Sequence, residues 1–133
     1  MTFLDEIAAR LTVQGLGAVG TAIFLSSKAV IPTGAGPYIS IVQTGGTAPI
    51  YTQNANAPVS QRPGAQVLVR ATSYPTAEAT ARLAYIALTL RNTTLSGTYY
   101  QDLLPTQEPF DLGLDATGRA QVAFNVMATK RPS

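Results

Sequence analysis

The chain has no cysteine, no histidine and no tryptophan, and only 12% of its 133 residues are charged. Without cysteine there are no disulfides, thiolate ligands or thiol nucleophiles. Without histidine the commonest general base and the commonest zinc ligand disappear together. The charge that remains is spread unevenly. Residues 29–61 contain no Asp, Glu, Lys or Arg, and no acid occurs between Glu6 and Glu78. Globular domains carry about a quarter charged residues, so a gap this long needs a cause. Interface cores are depleted in Lys, Glu and Asp. A polar, uncharged strand-and-loop segment therefore suits contact with a neighbouring subunit.

Other classes fall away on the same grounds. The apolar run around Gly15 to Leu25 is too short to span a bilayer and is followed by Lys28, so no membrane partner is expected. The first charges are Asp5 and Glu6, where a signal peptide would carry a basic region; folding in a cytoplasm is the expectation. A net charge of +2 is too small to imply nucleic-acid binding. Hydrophobic content of 46% is not the composition of a disordered chain. The length suits one domain, residues 1–133.

What is present reads as alternating helices and strands. Thr2 can cap a helix over residues 2–12, with Asp5 and Glu6 in its first turn and Leu4, Ile7, Ala8 and Leu11 on one apolar stripe. Val19 to Leu25 suits a buried strand. Pro32, Gly34, Gly36 and Pro37 break the chain, and Tyr38 to Gln43 is a clear strand ended by Thr44-Gly45-Gly46-Thr47. Residues 44–63 hold Pro49, Pro58 and Pro63 with Asn54 and Asn56, and read as a long uncharged loop. Gln66 to Thr72 alternates as a strand, with Val67, Val69 and Ala71 on one face. A second helix is predicted over 77–91, capped by Thr76, with Leu83, Ala84, Ala87 and Leu90 as its apolar face. Asn92 to Gly97 reads as a turn, Thr98 to Leu104 as a strand, and Phe110 to Thr129 as a hairpin turning at Asp115 to Gly118. Strands cluster without regular helical crossovers. The predicted class is α+β, a mostly antiparallel sheet with two helices packed on it.

Chemistry-bearing motifs are few. Gly15-Leu16-Gly17-Ala18-Val19-Gly20 fits the dinucleotide pattern G-x-G-x-x-G. That chemistry needs a strand before the glycines, a helix after them and an acid about 20 residues on. Here a helix precedes, a strand follows and the acid is missing, so a close-packed connector is the plainer reading. Glu108 and Asp111 flank Pro109-Phe110 and could pair for acid–base or metal chemistry, but solvated or turn roles are the simpler account. Asp115 is most simply a turn residue. No serine lies in G-x-S-x-G, and adjacent Ser27 and Lys28 make a poor dyad. Arg62, Arg70, Arg82 and Arg119 fall on four different elements, which suits salt bridges better than a phosphate site. The residues supply no catalytic, cofactor or metal site.

One ordered set of segments resembles a known family. It comprises Ile31-Pro32, Pro37-Tyr38-Ile39-Ser40, Thr44-Gly45-Gly46, the strand Gln66 to Arg70, an Ala-rich helix with Tyr85, then Gln107 to Gly113 and Asp115 to Arg119. Across about Leu4 to Lys130 the chain resembles the tail terminator and minor capsid proteins of long-tailed bacteriophages. The resemblance implies a mixed, mostly antiparallel sheet with two helices. It also implies a homohexameric ring that caps the tail tube, ends its polymerisation and offers a docking surface to the neck. Its partners would be further copies of itself, the tube protein and a head-completion or neck protein, with genomic DNA only passing through the lumen. Its place would be the virion, at the head–tail junction, after assembly in the host cytoplasm. No enzymatic activity or cofactor is implied. Regions 43–63 and 113–119 are the expected contact surfaces, with Gln43, Thr44, Ile50, Tyr51, Gln53, Asn54, Arg62, Asp115 and Arg119 as candidate interface residues. The alternatives are another neck protein of the same virion, a small nucleotide-binding domain through GLGAVG, or a DNA-contacting virion protein.

Overall fold

A computed structural model of the chain describes residues 2–25, 36–50, 60–116 and 118–131. The element order is α1 (Phe3–Val13), β1 (Ile23–Leu25), β2 (Tyr38–Ile50), β3 (Ser60–Ala71), α2 (Tyr74–Ala87), β4 (Leu90–Leu95), β5 (Thr98–Pro105), β6 (Phe110–Leu114) and β7 (Ala120–Lys130). The seven described strands form one sheet, six of them in the order β1-β2-β3-β7-β5-β4, with β6 off this path and paired to β7. Among the described strands only the β1–β2 pair is parallel. This is the predicted α+β class.

β7 organises the sheet. One edge pairs with β3 along its length, from Gln61↔Lys130 to Ala71↔Ala120. Its other edge is shared end to end. β5 takes the Lys130 half and β6 takes the Ala120 half. Val122, Phe124, Val126 and Ala128 alternate on the covered face of β7, as do Val67, Val69 and Ala71 on β3 and Ile39 and Ile41 on β2. They join one core with Phe3, Ile7, Ala8 and Leu11 of α1 and the alanines of α2. Both helices therefore lie on one face of the sheet.

Helix α1 begins where Thr2 and Asp5 close a capping box. The Asp5 amide donates to Thr2 Oγ1 at 3.2 Å and the Thr2 amide donates to Asp5 Oδ2 at 3.0 Å. Hydrogen bonds from Thr2, backbone first and then side chain, hold the Asp5 carboxyl below its ordinary pKa. Gly15, Gly17 and Gly20, all at positive φ, carry the chain from α1 into β1. A Cβ on Gly17 would stand 2.5 Å from that of Ala22, so close packing explains this glycine. Helix, turn and strand follow in the order opposite to a dinucleotide site.

Four expectations need correction. β2 runs on to Ile50 and β3 starts at Ser60, so the loop expected over 44–63 narrows at both ends; register shifts at Thr44/Thr47 and Thr47/Ile50 absorb the irregular Gly45-Gly46 stretch. The strand expected from Val19 begins only at Ile23, because Ala18 to Ala22 form a hydrogen-bonded turn. Helix α2 starts at Tyr74 behind Ser73, with Pro75 in its first turn, and stops at Ala87. Finally, Leu90–Leu95 is a strand; the turn is confined to Ser96-Gly97, both at positive φ, the two-residue geometry that suits a twisted hairpin.

Candidate assembly surfaces

The most deeply buried charges sit where α1 crosses the Lys130 end of the sheet. Lys130 continues the inward-facing alternation of β7 and is only 4% exposed; Glu6 of α1 is 1% exposed. Lys130 Nζ lies 3.7 Å from Glu6 Oε1, and the Tyr100 hydroxyl donates to the same oxygen at 2.7 Å. Phe3 stacks on the Tyr100 ring at 6.4 Å. Burial first, and then the hydrogen bond to Glu6, push the Tyr100 phenol well above its ordinary pKa. A neutral phenol, a carboxylate and an ammonium thus pin α1, β5 and β7 together. Glu6 is a first-turn acid of α1, as expected, and its pairing with Lys130 and Tyr100 is a second role that helix-end chemistry does not show. The signal was available: the alternation Val122, Phe124, Val126, Ala128 places Lys130 on the core face, where an ammonium needs a buried acid.

A second node lies at the opposite end of β7. Asp115 opens the β6–β7 turn and its Oδ1 accepts the Arg119 amide at 2.9 Å. Its Oδ2 stands 3.2 Å from Arg70 Nε and 3.3 Å from Arg119 Nε. The Arg70 contact is an ion pair without the alignment of an N–H···O bond. Asp115 is thus a turn residue that also ties β3 to the β6–β7 turn. On the flank of α2, Arg82 pairs with Glu78 at 3.8 Å and with Glu108. Asp111 Oδ1 instead accepts the Gly113 amide at 2.7 Å, within the β6 bulge. Glu108 and Asp111 therefore have separate tasks and do not form a carboxylate pair.

The candidate interface residues divide into two groups. Gln43 and Thr44 are exposed on β2, and Arg62 lies across from Thr47 on β3. Ile50 ends β2 opposite Ser60. Asp115 and Arg119 belong to the far end, beside Arg70. Arg62 and Arg70 share β3, where four separate elements were expected for the arginines, because β3 begins already at Ser60; eight residues separate the two, about 26 Å at the rise of a strand. Tyr51, Gln53 and Asn54 lie outside the described residues, as do Ser27, Lys28 and the Ile31-Pro32 of the resemblance. Large apolar side chains left in water were not among the expected contacts: Leu83 and Ile86 on the outer side of α2, and Leu112 and Leu114 on β6.

Solved structures share this fold. A chain of the "virion of native gene transfer agent (GTA) particle" superposes with a TM-score of 0.69 at 14% identity, covering 98% of this chain and 95% of that one. A second solved chain gives a TM-score of 0.57 at 16% identity, with 100% and 99% covered. No curated protein matches the chain. Residues 10–130 match the family described as bacteriophage tail terminator protein. That span takes in every described strand, all of α2 and the last turn of α1, and on it the chain belongs to the bacteriophage tail terminator family, structural proteins of the phage virion.

Proposed function

We propose that this chain assembles into a ring, a hexamer by the resemblance, that caps the tail tube, stops its polymerisation and offers the surface to which a neck protein docks. Family membership over residues 10–130 carries the reading. The low charge and the uncharged stretch between Lys28 and Arg62 support it, because ring subunits cover much of their surface. Its work is contact rather than catalysis, with no enzymatic activity and no cofactor. Its partners are its own copies, the tube protein and a head-completion or neck protein. DNA passes only through the lumen, at the head–tail junction of a virion assembled in the host cytoplasm.

Ring closure needs two different patches on each subunit, one meeting the other on the next copy. The separation of Gln43, Thr44, Ile50 and Arg62 from Asp115 and Arg119 supports such an arrangement. Tyr51, Gln53 and Asn54 go with the first patch by sequence. Adding the protein to polymerising tube subunits tests the function: tubes should stop short and carry ring-shaped caps in negative stain. A protein that stays monomeric and leaves tube length unchanged would overturn it.

A further inference from the structure

Two unmatched features stand at opposite ends of the molecule. The first is β6, which pairs only with the Ala120 half of β7 among the described strands. It exposes Leu112 at 47% and Leu114 at 72%. Beside them Asp111 has the Gly113 amide as its partner and no cation among the described residues. The bulge between Asp111 and Gly113 breaks the register of this edge, which disfavours simple addition of another strand. What β6 offers a partner is therefore side chains: two leucines and a carboxylate.

The second feature is a cavity of about 230 Å³ between α1 and the end of the β4–β5 hairpin, with Glu6, Ala9, Arg10, Val13, Thr94 and Leu95 among its lining residues. Engineered cavities of about 150 Å³ accept a benzene ring, so this one has room for a leucine side chain. Its apolar lining is Ala9, Val13 and Leu95, of which Val13 is exposed. Arg10 donates its Nε–H to the Ala87 carbonyl at 3.0 Å and has no carboxylate partner among the described residues. Its other guanidinium N–H groups suit a carboxylate.

The two features match in chemistry and cannot meet within one molecule. β6 lies against Ala120 to Ala123, whereas the cavity lies at the level of Lys130, about 25 Å along the sheet. We propose that β6 of one subunit docks into the α1–β4 cavity of a second copy, a leucine of β6 seated between Ala9, Val13 and Leu95 and Asp111 facing Arg10. The contact is heterologous, so it propagates from copy to copy and can close a ring. It deepens the ring reading above and rests on it.

The absence of cysteine makes the test direct. Val13→Cys and Leu114→Cys replace exposed side chains, so neither threatens the fold. In the assembled protein a short bismaleimide should link the double variant into a ladder of multimers, while either single variant stays uncrosslinked. Asp111→Arg and Arg10→Glu should each cut assembly at least tenfold by light scattering, and their combination should recover most of it. Rings that form normally without the ladder would overturn this surface and leave the ring reading standing. Links between two Leu114→Cys copies, or links only to tube protein, would also overturn it. A chain that neither assembles nor caps tubes would overturn both.

Discussion

At the scale of single residues, Lys130 and Arg82 show how burial decides the value of an ion pair. Lys130→Ala leaves the Glu6 carboxylate buried beside the Tyr100 hydroxyl without the ammonium that faces it. Removing one partner of a buried pair costs about 3–5 kcal/mol, so the urea midpoint should fall sharply. Arg82→Ala removes two pairs that stand in solvent, and the midpoint should barely move. Tyr100 gives a pH prediction from the same node. Its phenol titrates above the ordinary value of 10.0 in the folded chain, so folding favours the protonated form. That contribution is complete below pH 10 and is lost as the pH climbs past the unfolded value. Thermal melts should therefore show stability falling above pH 10, with a shallower fall in Tyr100→Phe. The variant should also lose about 1–3 kcal/mol at neutral pH by removing a donor from a buried carboxylate.

At the scale of elements, α2 shows what a pattern of apolar residues leaves undecided. The sequence suggests an apolar face of Leu83, Ala84, Ala87 and Leu90. Ala84 and Ala87 are buried as expected, but Ala77 and Ala81 complete the face, Leu83 remains 57% exposed and Leu90 belongs to β4. Small side chains let the helix axis come close to β3 and β7, while Tyr85 closes the flank edge-to-face on Phe124 at 5.8 Å. Overpacking a full core costs about 1–3 kcal/mol, so Ala84→Leu should destabilise by that much in chemical denaturation, whereas Leu83→Ser should be close to neutral. Strand alternation was easier to read. Val67, Val69 and Ala71 point inward as their spacing suggests, because a strand has only two faces. On a helix the apolar stripes adjoin: that of Ala77, Ala81, Ala84 and Ala87 borders Leu83 and Ile86, and only the neighbouring sheet selects the smaller side chains.

At the scale of the whole molecule, the sheet's shared edge separates the surfaces. β5 and β6 lie end to end along β7, which sets the β6 leucines and Asp115 at one end and the α1–β4 cavity with the β2–β3 end at the other. A carboxylate introduced at Ile50 or Tyr51 should abolish rings in size-exclusion chromatography with light scattering, with an unchanged circular dichroism spectrum, because interface cores tolerate charge poorly. Normal assembly of both variants would place the contact elsewhere. The candidate residues came from composition and resemblance, and those could not show that Arg62 and Asp115 stand at opposite ends. The exposed leucines of β6 were hidden for a related reason: Phe110 to Leu114 reads as one strand of a hairpin, and which of its side chains are covered depends on what packs around that hairpin.

The sequence by itself determined the class of fold, the inward faces of β3 and β7, the cap of α1 and the turn at Asp115. Each depends on residues near one another in the chain, through periodicity, capping or turn chemistry. It also determined what chemistry is out of reach, since no fold can supply a missing histidine or cysteine side chain. Tertiary structure decided which face of α2 is buried, that Glu6, Tyr100 and Lys130 share one buried site, and where the unpaired leucines face water. Those outcomes depend on residues up to the full length of the chain apart, and their energies exist only once the sheet has brought them together.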